Sequence, residues 1–126
     1  MQRTAARVYG VITAALALLG LTMGSTYIFG VMNADLALDW SRTFLAILLL
    51  YAGFASDDDR ILRGSLWAVG IISAFAGFVS LMDSKLLGMA PNGFTIFDAA
   101  FHLVGGLFAI AIAVKKETKH GTPVDA

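Results

Sequence analysis

The chain has 126 residues, no cysteine and a formal net charge of zero; 58 % of it is hydrophobic and only 14 % is charged. A soluble domain carries about 25 % charged residues, and one this small buries too little surface to hide so much apolar side chain, so lipid rather than water is the expected solvent. Neutrality, with no basic patch interleaved with aromatics, excludes a nucleic-acid partner, and the missing thiols exclude disulfides, iron–sulfur clusters and cysteine zinc sites.

A bilayer core about 30 Å thick needs roughly 20 apolar residues per helix. The first such stretch is 8–29, which contains no charge and follows Arg3 and Arg7. A basic start before an apolar run also suits a cleaved signal peptide. That apolar region is usually about 7–15 residues long, however, and Gly24-Ser25 is a poor cleavage site, so an uncleaved span is expected. Gly20 and Gly24 form a GxxxG pair within it.

The second stretch, 36–55, follows the short connection 30–35 and carries Asp39, Trp40 and Arg42 near its start. The turn 56–60 holds Asp57-Asp58-Asp59, read as a solvated turn and an N-terminal cap for the next helix. The third stretch, 61–82, has Arg63 near its start and repeats the small-residue spacing at Ser73 and Gly77. The connection 83–95 is the longest, and its "LLGMAPNGF" is apolar but broken by Gly88, Pro91 and Gly93. It reads as an interfacial or re-entrant piece that covers a polar site or meets a partner. The fourth stretch, 96–114, contains Asp98, His102, Gly105 and Gly106. The tail 115–126 is polar and is expected to fray.

Strands are the alternative for apolar runs. These runs are too long, lack period-2 alternation, and four of them cannot close a barrel. Helices satisfy their own backbone groups, as lipid demands. The expectation is a single all-α domain, 1–126: an integral membrane four-helix bundle. Orientation follows from Lys and Arg. Arg3, Arg7, Arg60, Arg63, Lys115, Lys116 and Lys119 fall on one side, Arg42 and Lys85 on the other. Both termini are therefore expected in the cytoplasm, with the chain in a bacterial inner membrane.

The halves look alike. Laying "LDWSRTFLAILLLYAGFA" on "FDAAFHLVGGLFAIAIAV" matches Asp39 with Asp98, Thr43 with His102 and Ala46 with Gly105; Arg3 with Arg60 and Gly20 with Gly77 fall at a nearly equal offset. This predicts two pseudo-repeated helical hairpins, related by an axis along the membrane normal.

Ionisable groups inside spans are the default functional candidates, because each is costly there. Asp39 and Arg42 share a helix face, as do Asp98 and His102, and all four lie toward the outer side. One reading makes them a proton, cation or small-ligand site. The other makes them structural, with Arg42 pairing with Asp39 or Asp98 and His102 capping the network, or with Arg42 and Asp39 snorkelling beside Trp40. Metal or haem lacks ligands: there are two histidines, one of them His120 in the tail. No cofactor is expected. Gly20, Gly24, Ser73, Gly77, Gly105 and Gly106 should pack helices closely, inside the bundle or against a partner. Tyr27, Phe29, Trp40, Phe94 and Phe97 mark the outer interface; Tyr9, Tyr51, Phe54 and Trp67 mark the inner one.

The segments "RVYGVITAALALLGLTMG", "RTFLAILLLYAGFA" and "LLGMAPNGFTIFDAAFHLVGG" resemble the small bacterial membrane proteins of the DUF4383 family. Asn92, Asp98, His102 and Gly106 carry most of the likeness to that family's His-containing helix start, while Thr43 stands where a paired His would fall. The DUF4345 group has similar apolar helices. Neither resemblance implies an activity. The functional expectation is a non-enzymatic scaffold or accessory subunit whose partners are the bilayer and other membrane subunits or further copies of itself. The alternative is a protein that handles a lipid, quinone, ion or proton through the polar cluster, and a redox enzyme ranks last.

Overall fold

The computed structural model describes residues 1–23 and 27–115. It is an all-α four-helix bundle: α1 Gln2–Met23, α2 Leu36–Leu50, α3 Asp59–Met82 and α4 Ile96–Val114. The last turn of α2 runs on as a π-turn, Tyr51–Ala55. Each of the four is long and apolar enough to cross a membrane, at 22, 20 (with the π-turn), 24 and 19 residues, and the chain reads as a multi-pass membrane protein. Between α1 and α2 lies a small antiparallel hairpin, β1 Tyr27–Ile28 and β2 Met32–Asn33, turned at Phe29 and Gly30 with positive φ. A 3-10 turn, Leu86–Gly88, interrupts the loop between α3 and α4.

α1 departs from the span read at 8–29. It begins at Gln2, because the polar residues ahead of the apolar run find partners on neighbouring helices. Gln2 Nε2 donates to the carbonyls of Ile112 (3.0 Å) and Lys115 (2.8 Å), which the end of α4 leaves unpaired. Arg7 Nε donates to Gly53 O at 2.7 Å and Arg3 Nη1 to Ser56 O at 2.6 Å, serving carbonyls within and just after the π-turn. At its other end α1 reaches Met23 among the described residues, and Tyr27–Phe29 belong to the hairpin.

The helices pair chiefly as α1 with α2 and α3 with α4, so the bundle is two antiparallel hairpins set side by side. Its inside-out composition explains the packing. α1 buries Ala6, Gly10, Thr13, Ala17 and Gly20, a stripe of small residues at helical spacing, while Val8, Val11, Ile12 and Leu18 face outward. Without a hydrophobic drive between helices in lipid, small residues that let backbones approach take the interior. In α3 and α4 the approach is closest. A Cβ on Gly77 would lie 2.7 Å from Leu103 N, and one on Gly70 would lie 2.9 Å from Gly106 O.

The interior is zoned. Ala6, Leu49, Ala52, Leu62, Leu66, Val69, Ala109, Ile112 and Ala113 form an apolar cluster toward the end that holds the termini. The half toward the hairpin and the 83–95 loop is polar, and there the candidate site lies.

Candidate functional site

Local turn chemistry builds the polar end. Asn33 Oδ1 accepts from Asp35 N at 2.6 Å, closing a tight Asx turn ahead of α2. Thr95 is the N-cap of α4, and its hydroxyl accepts from Asp98 N while Asp98 Oδ2 accepts from Thr95 N at 2.9 Å, a reciprocal capping box. The second connection then folds over the mouth. Asn33 Nδ2 donates to Gly93 O at 2.6 Å, Asn92 N donates to Asp35 Oδ2 at 3.0 Å, and the Tyr27 hydroxyl donates to Asn92 O at 2.9 Å. Loop 83–95 thus covers the polar cluster, one of the two roles its sequence suggested.

Beneath this cover the predicted residues meet. Arg42 Nη1 donates to Asp39 Oδ1 at 2.9 Å and to Asn33 O at 2.7 Å, and Nη2 lies 3.6 Å from Asp98 Oδ1. Asp98 Oδ2 also accepts from Asn33 N at 2.9 Å. Asp98, Asp39 and Arg42 are 0, 1 and 4 % exposed, so neither Arg42 nor Asp39 snorkels to the interface. Gly20 makes room for the pair: any Cβ there would collide with the Asp39 carboxylate.

His102 is buried beside these groups but is not joined to them through a carboxylate. Its Nδ1 donates to the backbone carbonyl of Asp98, 2.8 Å away on the preceding turn, and its ring lies 4.9 Å from that of Phe94. Below His102 and Arg42 is a cavity of about 20 Å³, lined also by Tyr9, Thr13, Leu16 and Ser73. Arg42 Nε, Arg42 Nη2 and Asp98 Oδ1 are buried there or nearby without a hydrogen-bond partner among the described residues.

The small residues are consumed inside the bundle. Gly20 abuts Asp39, Gly77 abuts the α4 backbone, Gly106 abuts Ala74 N, and Gly105 leaves space filled by Tyr9. Ser73 is buried. Gly24, Lys116, Lys119, His120 and the rest of the tail lie outside the described residues.

Phe94 does not anchor in the outer interface; it is buried against His102. Tyr9 likewise turns inward, toward Gly105 and Phe101. Trp40, Phe29, Tyr51 and Phe54 are exposed, as an interfacial belt requires. Sequence reasoning missed Asn33, Asp35, Thr95 and Gln2. For the first three the signals were present: Asn-x-Asp before a helix, and Thr-x-x-Asp opening an apolar run. Among the described residues no group of three or more His, Asp or Glu side chains is placed to hold a metal.

Comparison of the chain with protein-family models, with curated proteins and with solved structures finds no match.

Proposed function

We propose that this is a non-enzymatic membrane protein, a scaffold or accessory subunit of a larger complex in a bacterial cytoplasmic membrane, with both termini on the cytoplasmic side. One observation carries the reading: Asp39, Arg42 and Asp98 inside the bundle are engaged with one another, under a cover, rather than presented to a substrate. Arg42 joins Asp39 and Asp98, and Asn33 and Asp35 tie both loops over them. Among the described residues no nucleophile lies beside a base and an anion-stabilising donor. Gly20, Gly70, Gly77, Gly105 and Gly106 are spent on internal contacts, so a partner would meet the larger apolar side chains. Phe44, Ile47, Ile72 and Phe75 on α2 and α3 are exposed and available for that.

The test is extraction into polymer-bounded lipid discs and size-exclusion chromatography. The expected result is another membrane protein co-eluting at fixed stoichiometry, removed by Phe44→Ala with Ile72→Ala. A lone monomer from native membranes overturns the reading.

A second reading, proton handling, rests on the two Arg42 nitrogens that make no hydrogen bond among the described residues and on the cavity beside His102. About 20 Å³ admits one water and excludes a quinone or lipid. Proton flux in proteoliposomes that vanishes in His102→Ala and Asp98→Asn, both still folded, would favour it over the subunit reading. Flux no higher than in protein-free vesicles would remove it.

A further inference from the structure

α1 and α4 touch sparingly, and along their junction runs an apolar groove of about 670 Å³. Its walls are Ala5, Val8 and Ile12 on α1 and Val104, Phe108 and Ile112 on α4. We propose that this groove seats the hydrocarbon chain of an anionic phospholipid from the leaflet on the side of the termini.

Three observations select that occupant. The first is length. The groove follows α1 from Met1 to Ile12 and α4 from Phe101 to Ile112, which at 1.5 Å per residue is about 16 Å. Half of a bilayer core is about 15 Å, so the groove is one leaflet deep. It ends near mid-membrane where Tyr9 and Phe101, with ring centroids 6.5 Å apart, stand between it and the small cavity at Arg42 and His102.

The second is calibre. Spread over that length, the volume gives a mean cross-section of roughly 40 Å², about half of what a helix 10 Å across occupies. A helix of that diameter is wider than the groove's mean section, whereas extended hydrocarbon chains are narrow enough to enter it.

The third is charge. At the end where the groove opens, the described residues include Arg3, Arg7, Arg60, Arg63 and Lys115 against Asp57, Asp58 and Asp59. The opposite end carries Arg42 and Lys85 against Asp35, Asp39, Asp83 and Asp98. Lys115 is exposed and follows Ile112, the last α4 residue of the groove wall, by three residues. Arg3 and Arg7 turn toward α2 and Arg60 pairs with Asp58, so the cation nearest the groove is Lys115, and a basic residue near a membrane surface attracts an anionic headgroup.

The experiment is native mass spectrometry of the full chain after exchange into detergent with either phosphatidylglycerol or phosphatidylcholine of the same chains, so it needs no partner protein. The expected result is one retained phospholipid, with phosphatidylglycerol preferred several-fold. Val104→Trp, which fills the groove from a lipid-facing position, should lose the lipid about tenfold, while Leu81→Trp, equally exposed but outside the groove, should keep it. Lys115→Gln should erase the headgroup preference and leave retention of the chain. A photo-crosslinker at Val104 in native membranes should label lipid, and this readout serves if the tryptophan variant does not fold. Undiminished retention by Val104→Trp, equal retention of the two lipids by the parent protein, or crosslinking at Val104 to a protein overturns the proposal.

Discussion

Arg42 on α2 and Asp98 on α4 stand 3.6 Å apart in the bundle interior, and through them the first hairpin is tied to the second at the polar end. Arg42 also holds Asp39 at 2.9 Å. Two carboxylates therefore share one guanidinium. Removing one partner of a buried pair leaves an uncompensated charge, which costs about 3–5 kcal/mol. Arg42→Met should destabilise the fold by that order, read by reversible unfolding in mixed micelles. Adding Asp39→Asn and Asp98→Asn should recover part of the loss, because it removes the stranded charges. A single variant as stable as the parent would show that the pairing holds nothing together.

Gly20 lies against the Asp39 carboxylate and Gly64 has nothing within 4 Å of a Cβ position. The same substitution at the two sites should therefore have opposite consequences. Gly20→Ala has to push the ion pair or α1 aside, an overpacking cost of about 1–3 kcal/mol. Gly64→Ala only removes backbone freedom from a helix, which is neutral or favourable by up to about 1 kcal/mol. Melting temperatures of the two variants in one detergent check this. Equal effects would place Gly20 away from Asp39.

The helices, their number and the convergence of Asp39, Arg42, Asp98 and His102 were legible because each rests on a local rule. Apolar length names a span, and charge inside a span needs a partner. What escaped the sequence rests on contacts far apart in the chain. Nothing near Gln2 announces that its amide serves the carbonyls of Ile112 and Lys115. Nothing in "YAGFA" announces a π-turn, which exists where Arg3 and Arg7 are at hand to take its carbonyls. The inward turn of Phe94 and Tyr9 follows from the space beside His102 and Gly105, and an aromatic near a span's end looks the same in sequence whether it faces lipid or core.

Acid sensitivity should come in part from two carboxylates at helix ends outside the spans. Asp83 accepts from the backbone N–H groups of Leu87 (2.9 Å) and Lys85 (3.0 Å), and these bonds hold its carboxyl below the usual range. Asp58 is lowered by the backbone N–H of Arg60 and then by the Arg60 side chain. A carboxyl whose folded pKa lies below the unfolded one stabilises the fold above the unfolded value, about 3.9, and that stabilisation is lost as pH falls through the folded value. Thermal stability should thus decline below about pH 4, and less steeply in Asp83→Asn. NMR titration of Asp83 in micelles should give a midpoint below about 3.9; one at or above it would show that the loop bonds do not persist in solution.

The orientation prediction is the most direct to check, because the chain has no cysteine and any introduced thiol is the only label site. Five of the seven Lys and Arg residues among the described residues lie at the end with the termini, and at the other end Arg42 is buried in its ion pairs, leaving Lys85 alone exposed to the translocation machinery among the described residues. Positive charge retained on the cytoplasmic side then places the 56–58 turn inside and the 83–95 loop outside. Asp57→Cys and Leu87→Cys fall at exposed positions on those two segments. In intact cells a membrane-impermeant maleimide should react with Leu87→Cys and spare Asp57→Cys until the membrane is opened. The reverse pattern would invert the topology, and labelling of both in sealed cells would mean that the four apolar helices do not all cross.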